Sequence, residues 1–134
     1  MKTRRIALLA LLVLCIALAL SIIPMGVFAA DTTETGLTGI ELTSSFAGKT
    51  LESGKEYYVA PGATVVLKGG TATSGLKVPS NGTVTIHIPE NSTLEVYGGN
   101  ASGTKGAGAG IEVNAGSTLI VTGKGTLKAV GHKY

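Results

Sequence analysis

Ile88-Pro-Glu-Asn-Ser-Thr-Leu-Glu-Val96 has three near-copies in the chain: Val59-Ala-Pro-Gly-Ala-Thr-Val-Val-Leu67, Val78-Pro-Ser-Asn-Gly-Thr-Val-Thr-Ile86 and Val113-Asn-Ala-Gly-Ser-Thr-Leu-Ile-Val121. Each begins with an aliphatic residue and has Gly or Asn fourth, a small residue fifth, Thr sixth, and aliphatic residues seventh and ninth. The fourth position holds Gly62, Asn81, Asn91 and Gly116. Gly and Asn enter the left-handed backbone region at least cost, so this position marks a sharp bend. Alternation follows the Thr: Val65 and Leu67, Val84 and Ile86, Leu94 and Val96, Leu119 and Val121. A period of two marks a strand with one buried face. Each unit reads as a tight bend feeding a short strand.

A partial fifth unit stands at Gly125-Thr-Leu-Lys-Ala129, and the four full copies start 19, 10 and 25 residues apart. A repeat of roughly 20 to 30 residues with two or three short strands suits one coil of a β-solenoid. The expected fold is all-β: a right-handed parallel β-helix of about three coils, preceded by a signal-peptide helix. A β-sandwich is the alternative, since it also has short strands at regular spacing. Strands of a sandwich seldom share one bend-plus-Thr template, and the common template favours stacking of equivalent positions.

The run Ile88–Val96, followed by Gly106-Ala-Gly-Ala-Gly-Ile111 and then Gly123-Lys-Gly-Thr-Leu127, resembles the right-handed parallel β-helix repeats of large secreted and cell-surface proteins of Gram-positive bacteria. That likeness covers residues 57–131 or so. It implies an adhesin-like or carbohydrate-binding-like module, with further coils and a cell-wall or surface-layer attachment region beyond them.

Of the eleven basic residues, Lys2, Arg4 and Arg5 lie at the very start, leaving eight Lys against eight acidic residues from Asp31 onward. That near-neutral balance, with no Arg after Arg5, argues against nucleic acid as a partner. Cys15 is the only cysteine and sits inside the apolar run Ile6–Ile23. A thiolate metal site or Cys nucleophile in the exported part is thereby excluded.

Met1–Arg5 is a basic leader, Ile6–Ile23 an apolar core of 18 residues, and Val27-Phe-Ala-Ala30 a small-residue end before Asp31. This is the pattern of a secretory signal peptide over residues 1–30, so the chain is expected to be secreted or displayed at the cell surface. An uncleaved membrane anchor is one alternative, given the length of the run. A lipoprotein is the other, although Leu14 stands where a small residue is expected before Cys15. Residues 31–37 read as a linker and 38–59 as an N-terminal cap, with a first strand over Thr38–Phe46 and a second entering the first repeat at Lys55–Val59. Residues 59–134 read as solenoid repeats, truncated at the C-terminus. An uncovered last coil is expected to offer strand edges for self-association.

Chemistry-bearing residues are few. The Gly-rich loop Gly103–Gly110 is not a phosphate loop, because Lys105 precedes the glycines and a strand follows. His87, flanked by Ile86 and Ile88, points outward, and His132 lies near the end; neither has a partner of metal-ligand spacing along its strand. Pectin-degrading β-helix enzymes need paired carboxylates or clustered Asp with a basic residue. Here Asp31 is the only Asp, and Glu90, Glu95 and Glu112 remain within the repeats; Glu95 and Glu112 are expected to face solvent, with Lys124 or Lys128 nearby. Asn81, Asn91 and Asn100 open Asn-x-Ser/Thr triplets, two of them explained by the bend position itself.

The first functional expectation is therefore an exported, non-enzymatic structural or adhesive surface module, the N-terminal segment of a larger protein, with no cofactor. The second is a carbohydrate-binding module for cell-wall or host polysaccharide, in which Tyr58 and Tyr97 stack on sugar rings. Proximity of these two on one face is the feature that favours it. A polysaccharide lyase or hydrolase fragment is the third, and no catalytic residue is assigned. Contact with a membrane is expected only through the signal peptide.

Overall fold

The computed structural model describes residues 36–132. The readings of residues 1–30 as a signal peptide and of most of the linker lie outside them. The described chain is all-β, with nine short strands and one 3₁₀ helix. The strands are β1 (Ile40–Glu41), β2 (Glu56–Tyr58), β3 (Thr64–Lys68), β4 (Leu76–Val78), β5 (Thr83–His87), β6 (Thr93–Tyr97), β7 (Ile111–Val113), β8 (Thr118–Thr122) and β9 (Thr126–Val130). They form three sheets, ordered β1-β2-β5-β8, β3-β6-β9 and β4-β7, here sheets 1, 2 and 3. All pairings between these strands are parallel. The sandwich alternative, which is built from antiparallel sheets, is set aside on that ground.

The bends fall where the repeat places them. Gly62, Asn81, Asn91 and Gly116 all have left-handed φ, between 54° and 73°. Each feeds a five-residue strand, β3, β5, β6 and β8 in turn. The partial fifth unit is β9. From β3 onward the chain visits sheets 2, 3 and 1 in fixed rotation, so each strand pairs with one roughly thirty residues further on. The four sequence copies consequently do not stack in succession. Those of β3 and β6 lie in sheet 2, those of β5 and β8 in sheet 1.

Register brings like onto like within each stack. Thr64, Thr93 and Thr126 align, as do Val65, Leu94 and Leu127. Thr83 aligns with Thr118 and Ile86 with Val121. The bends stack with the strands. Ser92 Oγ accepts from the Gly62 amide at 2.9 Å and donates to the Ala60 carbonyl at 3.2 Å. Ser117 Oγ donates to the Pro79 carbonyl at 2.6 Å, and the Asn114 amide to the Val78 carbonyl at 3.0 Å. These bonds tie each bend to the one stacked beside it, and the Asn114 amide satisfies the carbonyl of buried Val78. A side chain on Gly116 would meet the Asn81 Oδ1 beneath it at 2.3 Å, which adds to the demand for Gly set by its φ of 73°.

The inward rows make one core of Leu42, Leu51, Tyr57, Val59, Leu67, Leu76, Val78, Val84, Ile86, Ile88, Leu94 and Val96. Complete burial of one such aliphatic side chain is worth about 1.5–3 kcal/mol. Burial fails in the last strand of every sheet. Val113, Val121 and Leu127 occupy inward positions yet are 47 %, 42 % and 36 % exposed. Among the described residues no further strand pairs beyond β7, β8 or β9.

The segment 38–59 differs in detail from the strand expected over Thr38–Phe46. Only Ile40–Glu41 pairs, and Ser44–Phe46 turns into a 3₁₀ helix. The turn is closed by backbone bonds, the Phe46 amide donating to the Thr43 carbonyl at 3.0 Å and the Ala47 amide to the Ser44 carbonyl at 3.2 Å. Thr43 Oγ1 and Ser45 Oγ lie 2.7 Å apart. The turn carries Phe46 edge-on against Tyr57, with centroids 5.7 Å apart, and places Leu42 and Leu51 in the core. The Gly-rich stretches Gly69–Gly75 and Gly98–Gly110 are tied together by backbone bonds. The Ala72 amide donates to the Asn100 carbonyl at 2.7 Å and the Gly99 amide to the Thr73 carbonyl at 2.9 Å. A side chain on Gly99 would lie 1.7 Å from the Gly70 carbonyl oxygen, so only glycine permits this close stacking.

Candidate functional site

The residue that follows the ninth position of each repeat leaves the strand on its outer face. These residues are Lys68, His87, Tyr97 and Thr122. Sheet register sorts them into two rows. Lys68, Tyr97 and Val130 align on sheet 2, while Tyr58, His87 and Thr122 align on sheet 1. Tyr58 and Tyr97, the two expected sugar-stacking residues, therefore belong to different sheets and are not brought together. Both are half-buried rather than fully exposed.

Tyr97 stands over the richer of the two faces. Its hydroxyl donates to Glu95 Oε2. The ammonium groups of Lys68 and Lys128 lie 5.8 and 5.4 Å from its ring centroid, within cation–π range. Lys128 reaches this place because it pairs in register with Glu95 on the neighbouring strand. Opposite charges on adjacent strands of one face attract. A hydrogen bond to the Tyr97 hydroxyl, then the charge of Tyr97 and of the Glu95 carboxylate, holds the Lys128 pKa above its ordinary value. Lys128 is thus a persistent cation at neutral pH.

An open groove of about 820 Å³ runs along this face, lined by Val66, Lys68, Glu95, Tyr97, Asn100 and His132 together with the Gly69-Gly70 and Gly98-Gly99 turns. Those four glycines narrow the wall to backbone. The groove combines one aromatic ring, one exposed aliphatic side chain, the Lys68 cation and a carboxylate, and Lys128 adds a second cation beside the Tyr97 ring. Sequence reading found Tyr97, Glu95 and Lys128 separately. It missed Lys68 as their neighbour, because that partnership depends on a register between strands about thirty residues apart, and it missed Asn100, three residues past Tyr97 on the loop, as a member of the groove. The residue after each ninth position was the signal that could have found Lys68.

A second groove, about 440 Å³, lies on sheet 1 between Thr38, Glu56, Thr85, His87 and Thr122. His87 Nδ1 and Thr122 Oγ1 are 2.9 Å apart, and Thr38 donates to Glu56 at 2.9 Å. The carboxylate absent from the strand of His87 is supplied by the strand beside it: Glu56 shares this groove. Glu112, expected to face solvent, is half-buried and accepts from the buried Ser74 hydroxyl at 2.7 Å. Glu95 is half-buried too. Glu112 lies on sheet 3, Glu95 on sheet 2 and Glu90 in the bend before β6. No group of three or more His, Cys, Asp or Glu side chains converges among the described residues, and no helix among them is long and apolar enough to cross a membrane.

No protein-family model matches the chain, and neither the curated proteins nor the solved structures gave a match.

Proposed function

We propose that this chain is an exported, non-enzymatic surface module with structural or adhesive work, built as a right-handed parallel β-solenoid and forming the N-terminal segment of a larger secreted or cell-wall protein. The observation that carries this reading is the last layer. Val113, Val121 and Leu127 sit at inward positions on three edge strands and remain more than a third exposed. Further turns of the same winding would cover them and pair the edges, as each earlier layer is covered by the next. The rotation of the chain through three parallel sheets supports a solenoid, since crossovers between parallel strands here run through the other sheets in place of helices. The basic and apolar leader supports export.

The test is to fractionate the source cells and immunoblot with antibody raised against residues 36–132. Signal in the culture medium or cell wall, in a band well above the mass of this chain, is the expected result. A band confined to the cytoplasm removes the export reading, and one at the mass of the chain alone removes the larger protein.

A second reading, a carbohydrate-binding module, is favoured by one specific observation: the groove beside Tyr97, with its ring, aliphatic patch and polar rim. The separation of Tyr58 from Tyr97 confines that reading to sheet 2. Retention of the chain on immobilised polysaccharide, lost on Tyr97→Ala, is its direct test.

A further inference from the structure

We infer that the groove beside Tyr97 binds an acidic polysaccharide, with a uronate carboxylate held by Lys68 and Lys128. The inference rests on the carbohydrate-binding reading and names its ligand class. A neutral sugar stacks on an aromatic face left open to it. At Tyr97 the ring is half-buried and has two ammonium groups within 5.8 Å of its centroid, so whatever approaches the ring meets positive charge first. The two cations come from β3 and β9, on either side of the strand that carries Tyr97, and register fixes their places. Among the residues that line the groove, Glu95 alone carries a negative charge. Its carboxylate already accepts from the Tyr97 hydroxyl, which leaves its remaining acceptor capacity for a sugar hydroxyl.

The rest of the groove suits the remainder of such a sugar. Val66, 39 % exposed, is in register with Glu95 and offers an apolar surface to the C–H face of a ring. The exposed Asn100 amide can both donate to and accept from hydroxyl groups. The glycine turns keep the walls low, so the groove is open along its length, as binding within a polymer requires. Nucleic acid fits less well, since the described residues contain no Arg, and stacking of bases also needs bare rings. Net charge does not explain the attraction, because eight Lys and eight acidic residues balance from Asp31 onward. The positive charge is local.

Affinity gel electrophoresis of the full chain tests this, with polygalacturonate, fully methyl-esterified pectin and dextran cast in parallel gels. Retardation by polygalacturonate is expected, weakened by added salt, with little retardation by the two neutral polymers. Lys68→Gln/Lys128→Gln is expected to weaken it about tenfold, in line with the loss of two charge-assisted contacts. Lys49→Gln/Lys55→Gln removes the same charge from exposed positions elsewhere and is expected to leave retardation unchanged. Equal loss in both double variants overturns the site, because net charge alone would then account for binding. Equal retardation by esterified pectin overturns the acidic ligand and leaves the carbohydrate reading standing. Absence of retardation in every gel overturns both, while the cell-fractionation result on export and size stands apart from all three.

Discussion

Leu94 and Leu127 hold the same position of the same repeat and lie side by side in sheet 2, yet one is fully buried and the other 36 % exposed. Val78 and Val113 differ in the same way on sheet 3, as do Ile86 and Val121 on sheet 1. Side-chain pattern decides which way a residue points. Burial depends on whether another layer lies above it. In a fold where each layer touches only its neighbours, stability is a sum of layer and interface terms, and the outermost layer lacks one interface.

Leu94→Ala against Leu127→Ala is the sharpest way to break that comparison. Leu94→Ala is expected to cost about 2–5 kcal/mol, the range for a large-to-small change in a packed core. Leu127→Ala should cost about 1 kcal/mol or less, as its side chain keeps much of its contact with water. Urea denaturation of the two variants reads the difference directly. Equal costs would mean that the last layer is covered in solution.

The bends give a second pair. Ser92 is buried and bridges the Gly62 amide and the Ala60 carbonyl, whereas Ser117 is half-buried and bonds only the Pro79 carbonyl. Ser92→Ala removes both hydrogen bonds of a buried side chain and is expected to cost about 1–3 kcal/mol, roughly twice the net value of one ordinary bond. Ser117→Ala should fall nearer 0.5–1.5 kcal/mol, roughly the net value of one ordinary hydrogen bond. A smaller loss at Ser92 than at Ser117, in the same denaturation assay, would contradict the layer account of the bends.

Backbone strain supplies a third pair with a narrower gap. Asn91 has φ of 62°, and Asn91→Ala is expected to cost about 1 kcal/mol while Asn91→Gly stays near neutral. Gly116→Ala meets both the same φ penalty and the Asn81 Oδ1, so its cost should exceed that of Asn91→Ala. Thermal unfolding midpoints of the three variants rank them.

How much of this was legible in the sequence follows from what the chain repeats. The bend at Gly62, Asn81, Asn91 and Gly116 and the inward pairs after it were legible, because a left-handed residue and a period of two are local signals. Sheet 3 was not. β4 and β7 are three residues each, too short to show alternation. The sorting of copies into two stacks was also hidden, since neighbours in a stack are not neighbours in sequence. The site shared that fate. Tyr97, Glu95 and Lys128 could each be singled out, but Lys68 joins them only through the register of β3 with β6. Tyr58 and Tyr97 both stand at outward or loop-adjacent positions, but nothing in one strand's period tells which sheet it will join.

Leu127→Lys is expected to change stability little and bears most directly on the open layer. Leu127 is already 36 % exposed, and a lysine there can lay its methylenes along the same surface while its ammonium stays in water. Unfolding free energy should therefore shift by less than about 1 kcal/mol. Association is the property that should respond. β9 ends sheet 2 with one row of its backbone groups unpaired by any strand among the described residues, and a charge on such an edge discourages pairing with another chain. Sedimentation velocity over a range of concentrations compares the two chains. If the unsubstituted chain pairs through this end, its average mass rises with concentration and that of the Leu127→Lys variant stays lower. If both remain at one mass throughout, the exposed layer does not recruit a second copy.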